Sequence, residues 1–126
     1  MLRVFSTLAI LIITGCQIPV KKGGLNIEGR WQLTDYYADI GDGKENWRKP
    51  DKNHTRTIEF KPKGEFVDSD NPDLTRFVLR DSVHLEISLK TADEPFTWTI
   101  VRLSSDRLEL RPSCIEGCGE KYKRIK

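Results

Sequence analysis

From Gly29 onward the apolar residues recur at every second position, and that period sets the expectation for the fold. In the stretch VHLEISL, Val83, Leu85, Ile87 and Leu89 share one face of an extended chain and His84, Glu86 and Ser88 the other, which describes a half-buried strand. FTWTI repeats the alternation with Phe96, Trp98 and Ile100 turned inward and threonines on the outer face, where branched side chains suit a strand. RLEL adds Leu108 and Leu110. Shorter runs at Arg30–Tyr37, Thr57–Phe60, Glu65–Asp68, Thr75–Leu79 and Lys121–Ile125 are separated by the turn sequences KPKG, SDNPD, SSD and EGCG. No stretch of this region carries a helical period. About eight closely spaced strands predict an all-β domain, an antiparallel sandwich or barrel.

The beginning of the chain reads differently. Arg3 is the single charge before an uncharged stretch from Val4 to Gly15, and charge returns only at Lys21. That run is shorter than the roughly 20 residues a helix needs to cross a hydrocarbon core. A basic start, a short apolar centre and small residues at its end describe a secretory signal peptide over residues 1–15. The last four residues of the run, Ile13-Thr14-Gly15-Cys16, resemble the bacterial lipobox, in which the cysteine thiol is thioether-linked to diacylglycerol and the signal is cut just before it. A plain signal peptide with an incidental cysteine, or a buried helix, is the other way to read it. The resemblance implies lipidation at Cys16 by acyl chains such as palmitate, a tether over residues 16–26 and a folded domain over residues 27–126. More than one acyl chain holds a protein to a membrane far more firmly than one.

The tether QIPVKKGGLN has a proline, two adjacent glycines and no period, and ten such residues span at most about 35 Å. Lys21 and Lys22 are suited either to anionic headgroups or to solvent. In the lipoproteins this resembles, an aspartate after the cysteine signals retention in the inner membrane. Gln17 stands there instead, and no acidic run follows Cys16. The resemblance therefore implies the outer membrane of a bacterial envelope, on the periplasmic side.

Charge narrows the partners. With 21 basic and 19 acidic side chains the chain is near neutral, which argues against nucleic acid, since phosphate binding needs clustered Lys and Arg on one face.

The order of motifs in the domain points to a family. Gly29-Arg30-Trp31-Gln32-Leu33 is followed by IEF and KGEF, then HLEI, then WTIVRLSSDRLEL, then KYKR. This resembles the small lipocalin-like lipoproteins of bacteria, with their G-x-W opening strand, glycine-turned first hairpin, I-x-x-L turn into L-x-L and closing strand ending Y-x-R. The resemblance implies an up-and-down barrel of about eight strands with the first and last strands paired. It also implies that Trp31 plugs the closed end, that Arg124 lies over its ring, and that Gly29, Trp31 and Arg124 are structural. The runs here are shorter than those of lipocalins with a deep calyx. Phe60, Phe66, Phe77, Phe96 and Trp98 would fill much of so small a barrel.

The connection Ala38 to His54 is the one long loop, and loops of this length usually serve a function or are disordered. Trp47, beside Arg48 and Lys49, either caps the barrel mouth or meets a partner. The segment DIGDGKE is a poor calcium loop: Gly41 sits where a second oxygen ligand belongs and no glutamate stands at the twelfth position. If Cys16 is acylated, Cys114 and Cys118 remain as a pair. Their C-x-x-x-C spacing and the lack of a second pair favour a disulfide over a redox couple or half a metal site.

Catalysis finds no support. Asp81, Ser82 and His84 are close in sequence, but no strained elbow frames the serine, and His54 and His84 read as surface residues. Asp68, Asp70 and Asp73 read as a solvated turn around Pro72. The expectation is a non-enzymatic, monomeric, membrane-tethered barrel without cofactor or metal. It binds a small apolar molecule, with Trp98 among the inner contacts, or it docks an envelope protein through the loop at 38–54.

Overall fold

The computed structural model describes residues 26–114 and 117–126. Eight antiparallel strands form one sheet that curls into a nearly closed barrel. They are β1 (Gly29–Ala38), β2 (Thr57–Phe60), β3 (Phe66–Asp68), β4 (Leu74–Leu79), β5 (His84–Leu89), β6 (Phe96–Leu103), β7 (Arg107–Arg111) and β8 (Cys118–Ile125). Their order around the sheet is β3-β2-β1-β8-β7-β6-β5-β4, so every two consecutive strands except β3 and β4 are neighbours, and β1 also pairs with β8. The first and last strands therefore meet inside the wall. The ladder from Arg30↔Ile125 to Ala38↔Cys118 is the longest of the molecule, and a bulge interrupts it between Leu33 and Asp35. The seam lies instead between β3 and β4, where among the described residues the backbone is joined by the isolated bridge Glu65↔Arg76.

Alternation along the strands places the core inside. Trp31, Ile58, Phe60, Phe66, Leu85, Ile87, Ile100, Leu108, Leu110 and Tyr122 are fully buried, and Phe77 packs against them. Phe60 meets Phe66 at 5.1 Å and Phe77 at 5.0 Å between ring centroids, and Phe66 meets Trp98 at 6.0 Å. The middle of the barrel is filled by its own side chains, as expected for eight strands. Among the described residues the core cluster runs from Ile27 to Tyr122.

Two strands run longer than the alternation predicts. A bulge between Ile100 and Arg102 resets the parity of β6 and brings Leu103 back inside opposite Leu108. Cys118, Gly119 and Glu120 extend β8 because β1 offers them partners in Ala38, Tyr37 and Tyr36. Phe96 departs from its expected inward place. It has the right parity but opens β6 beyond the last pair with β7, Thr99↔Arg111, and stays 44% exposed.

Candidate functional site

One end of the barrel is shut. The segment Asn26–Glu28 crosses it, Ile27 is buried, and the Trp31 indole N–H donates to the Ile27 carbonyl at 2.9 Å. Arg124 lies over that ring with its guanidinium carbon 4.2 Å from the centroid. Its nitrogens donate to the carbonyls of Glu28, Asn26 and Ser105, each at 2.7 Å, which ties the entering chain and the β6–β7 turn to β8. Gly29 leaves the room for this. Its φ is +130°, and a Cβ there would stand 2.6 Å from Arg124 Nη1. The three residues singled out by the family resemblance thus form one contact group, and its work is closure.

The other end is open and polar. Asp68 shares the inward parity of Phe66 and is buried, which corrects its expected place in a solvated turn; only Asp70 and Asp73 are exposed there. A buried carboxylate needs a partner. Arg56 supplies a two-pronged one, with Nε 3.2 Å and Nη2 2.7 Å from the two carboxylate oxygens. The third guanidinium nitrogen donates to Glu120 at 2.7 Å, and the Tyr122 hydroxyl donates to the other Glu120 oxygen. Burial on its own would depress the Arg56 pKa, but the Asp68 hydrogen bond and the charges of Glu120 and Asp68 raise it, so the guanidinium is permanently charged. Burial pushes the Tyr122 hydroxyl well above its ordinary value, and the Glu120 charge adds to this. Among the described residues no buried side-chain nitrogen or oxygen lacks a partner.

Above this floor is a cavity of about 550 Å³. Leu74, Leu89, Phe96 and Trp98 make an apolar wall, Arg56 and Glu120 the base, and Asp70 and Asn71 part of the rim. A smaller hollow of about 310 Å³ shares Arg56, Asp70 and Glu120 and continues toward Leu33, Tyr36 and His54. His54 is held at the surface by Asp70, 2.8 Å away. Trp98 is thus both a core residue, 6% exposed, and a wall of the mouth. Arg56, Asp68 and Glu120 were not legible as a group, because they are brought together from positions 12 and 64 residues apart. The parity of Asp68 in the strand FVD was the one available signal.

Trp47 is neither over the mouth nor free. The backbone at Arg48 bridges to Tyr36, with N–H···O distances of 2.8 and 2.9 Å, and that register puts Trp47 beside Tyr37 on the outer wall. Its ring meets Tyr37 edge-on at 4.7 Å, under Lys121 Nζ at 4.1 Å and Arg111 at 5.6 Å. Arg111 donates to the Tyr37 hydroxyl and reaches Glu45 at 3.1 Å. Gly119 makes the seat: a Cβ there would meet Tyr37, Arg111 at 2.6 Å and Trp47 at 2.8 Å.

The remaining candidates have local duties. Cys114 and Cys118 stand at disulfide-bonding distance, with Cα atoms 5.9 Å apart. Asp39 and Asp42 accept backbone N–H groups of Gly41 and Lys44 at 2.7 and 3.0 Å, so both carboxylates cap their own turns. Asp81 accepts the N–H groups of Val83 and His84 and pairs with the His84 ring at 2.7 Å; these bonds, the Val83 N–H first, lower its pKa to about 2. Among the described residues no three His, Cys, Asp or Glu side chains converge as for a metal ion. Cys16 lies outside the described residues. Comparison with family models, curated proteins and solved structures finds no match for this chain.

Proposed function

We propose that this is a lipid-anchored, non-catalytic binding protein of the bacterial cell envelope, of the lipocalin-like kind, which takes a small molecule with an apolar body at its open end. The observation that carries the reading is the mouth cavity, in which an apolar wall of Leu74, Leu89, Phe96 and Trp98 stands over a base of Arg56 and Glu120. Pockets that bind small ligands combine those features, an apolar lining with a few fixed polar groups. The filled barrel leaves the ligand at the rim, with its polar end toward Glu120 and Arg56. The Ile-Thr-Gly-Cys sequence supports the anchor, since only Cys16 stands where a diacylglycerol-bearing thiol belongs.

A naphthalene-type fluorescent probe tests the site. Saturable uptake with quenching of tryptophan emission and a negative heat-capacity change is expected. Trp98→Leu weakens it, and Trp47→Ala leaves it unchanged, because Trp47 is on the outer wall. Absence of saturable uptake overturns the reading. The anchor has its own test: Cys16→Ser abolishes lipid labelling and moves the protein out of the membrane fraction.

One observation favours a second reading, docking of an envelope protein by the long loop. Ile40 is 80% exposed there, on a turn held by Asp39. Capture of a partner that is lost in Ile40→Asp and indifferent to Trp98→Leu is the outcome that selects it.

A further inference from the structure

The outer wall formed by β1, β8, β7 and β6 carries a shallow concavity of about 550 Å³ lined by Lys49, Arg102, Arg107, Lys121 and Lys123 against only Asp35 and Glu109. Both acids are occupied: Asp35 by Lys49 at 2.7 Å, Glu109 by Arg111 at 3.5 Å. Lys121 lies over the Trp47 ring. Arg102, Arg107 and Lys123 remain, all exposed, and among the described residues none has a carboxylate within ion-pair distance. Arg107 and Lys123 are moreover direct cross-strand partners, an arrangement of like charges that costs stability in a sheet. On a chain with almost balanced charge, three uncompensated cations thus share one concavity.

The position of that face selects an occupant. Arg107 follows the turn whose Ser105 carbonyl is held by Arg124, and Lys123 precedes Arg124 in β8. The same guanidinium holds the carbonyl of Asn26, so the described chain begins beside this cluster, ten residues after Cys16 in sequence. We propose that Arg102, Arg107 and Lys123 form a docking surface for anionic lipid headgroups. The barrel then rests on the membrane by its closed end and basic wall, with the mouth turned to the aqueous side. This rests on the proposed anchor at Cys16. The short tether and a screening length of about 8 Å at physiological salt mean that only charges brought to the surface act, and these three flank the turn and strand that Arg124 ties to Asn26.

The test uses residues 16–126 with Cys16→Ser, which holds every described core residue but cannot be acylated. Its result is therefore independent of whether the native chain is lipidated. Sedimentation with vesicles of phosphatidylglycerol and phosphatidylcholine should show binding that falls with salt and is absent with phosphatidylcholine alone. Combined Arg102→Gln, Arg107→Gln and Lys123→Gln should lower the partition by roughly fivefold per residue removed. Lys44→Gln, Lys52→Gln and Lys90→Gln together, which remove equal charge around the open end, should change it less than twofold. Thermal melts matching the parent establish that each variant is folded. No binding to anionic vesicles, equal loss in both triple variants, or displacement by inorganic phosphate at constant ionic strength overturns the proposal; the last result assigns the concavity to a free anion.

Discussion

Arg124 covers the indole face of Trp31 at 4.2 Å and spends every guanidinium nitrogen on a carbonyl of the closed end. A cation over a ring contributes about 0.5–2 kcal/mol, depending on desolvation. The ring beneath it is completely buried. Trp31→Ala should cost about 3–5 kcal/mol in denaturant melts, and Arg124→Ala less. Gly29→Ala should also destabilise, because the added Cβ collides with Arg124 and the backbone there has positive φ. A wild-type midpoint for Trp31→Ala would contradict the closure described above.

The Arg56–Asp68 pair is a test of buried charge. Removing Arg56 leaves the buried Asp68 without its counterion, at a cost of about 3–5 kcal/mol, whereas removing Asp68 leaves Arg56 still paired with Glu120. Asp68 is fully buried and Arg56 14% exposed, so Arg56→Met alone should fall in that range and Asp68→Leu should cost less. The double variant should lose less than the sum of the two, since Asp68 is no longer a buried charge without Arg56, while Glu120 keeps the Tyr122 hydroxyl as its donor. A double-mutant cycle by urea unfolding measures the coupling, and strictly additive losses would show that the two side chains act separately.

Tyr122 should give the protein an alkaline limb. Its folded pKa lies above the ordinary value of 10, chiefly through burial. The neutral hydroxyl therefore contributes its full stability below pH 10, and that contribution falls as pH rises from 10 toward the folded value. Melts across that window should show declining stability in the parent and a flatter profile in Tyr122→Phe. Phenolate absorbance should show this ring titrating only with unfolding.

Trp47→Ala should strip the cover from Tyr37 and free Lys121 and Arg111. An aromatic pair contributes about 0.5–1.5 kcal/mol and a partly exposed cation–ring contact about 0.5–1 kcal/mol. A loss of roughly 1–2 kcal/mol is expected, with faster proteolysis of the loop at 38–54. Gly119→Ala should resemble it, because the new methyl group occupies the seat of the Trp47 ring. Unchanged melts and proteolysis in both would mean that the loop is not held by this contact.

Cys114 and Cys118 should resist thiol labelling until reduced. Replacing both by serine should cost about 2 kcal/mol or less, since the closed loop is short. Full labelling of the folded, unreduced protein would exclude the bridge.

Alternation alone determined which residues face inward over most of the barrel, because a strand has only two faces and burial selects one. Leu85, Ile87, Trp98, Ile100, Leu108 and Leu110 all lie where that period puts them. Periodicity says nothing about where a wall ends, so Phe96 was legible in parity and not in exposure. It also cannot register a bulge before the pairing is known, which is why Leu103 and the start of β8 emerged only with the sheet. The site was less legible still. Arg56, Asp68 and Glu120 meet because β2, β3 and β8 converge at the open end, and no local pattern encodes that meeting. Trp47 could be recognised as needing a partner, but which side of the wall it covers follows from the Tyr36–Arg48 bridge. Net charge concealed the basic wall, because a total reports the balance of signs while only the register of β6, β7 and β8 decides which face the cations share.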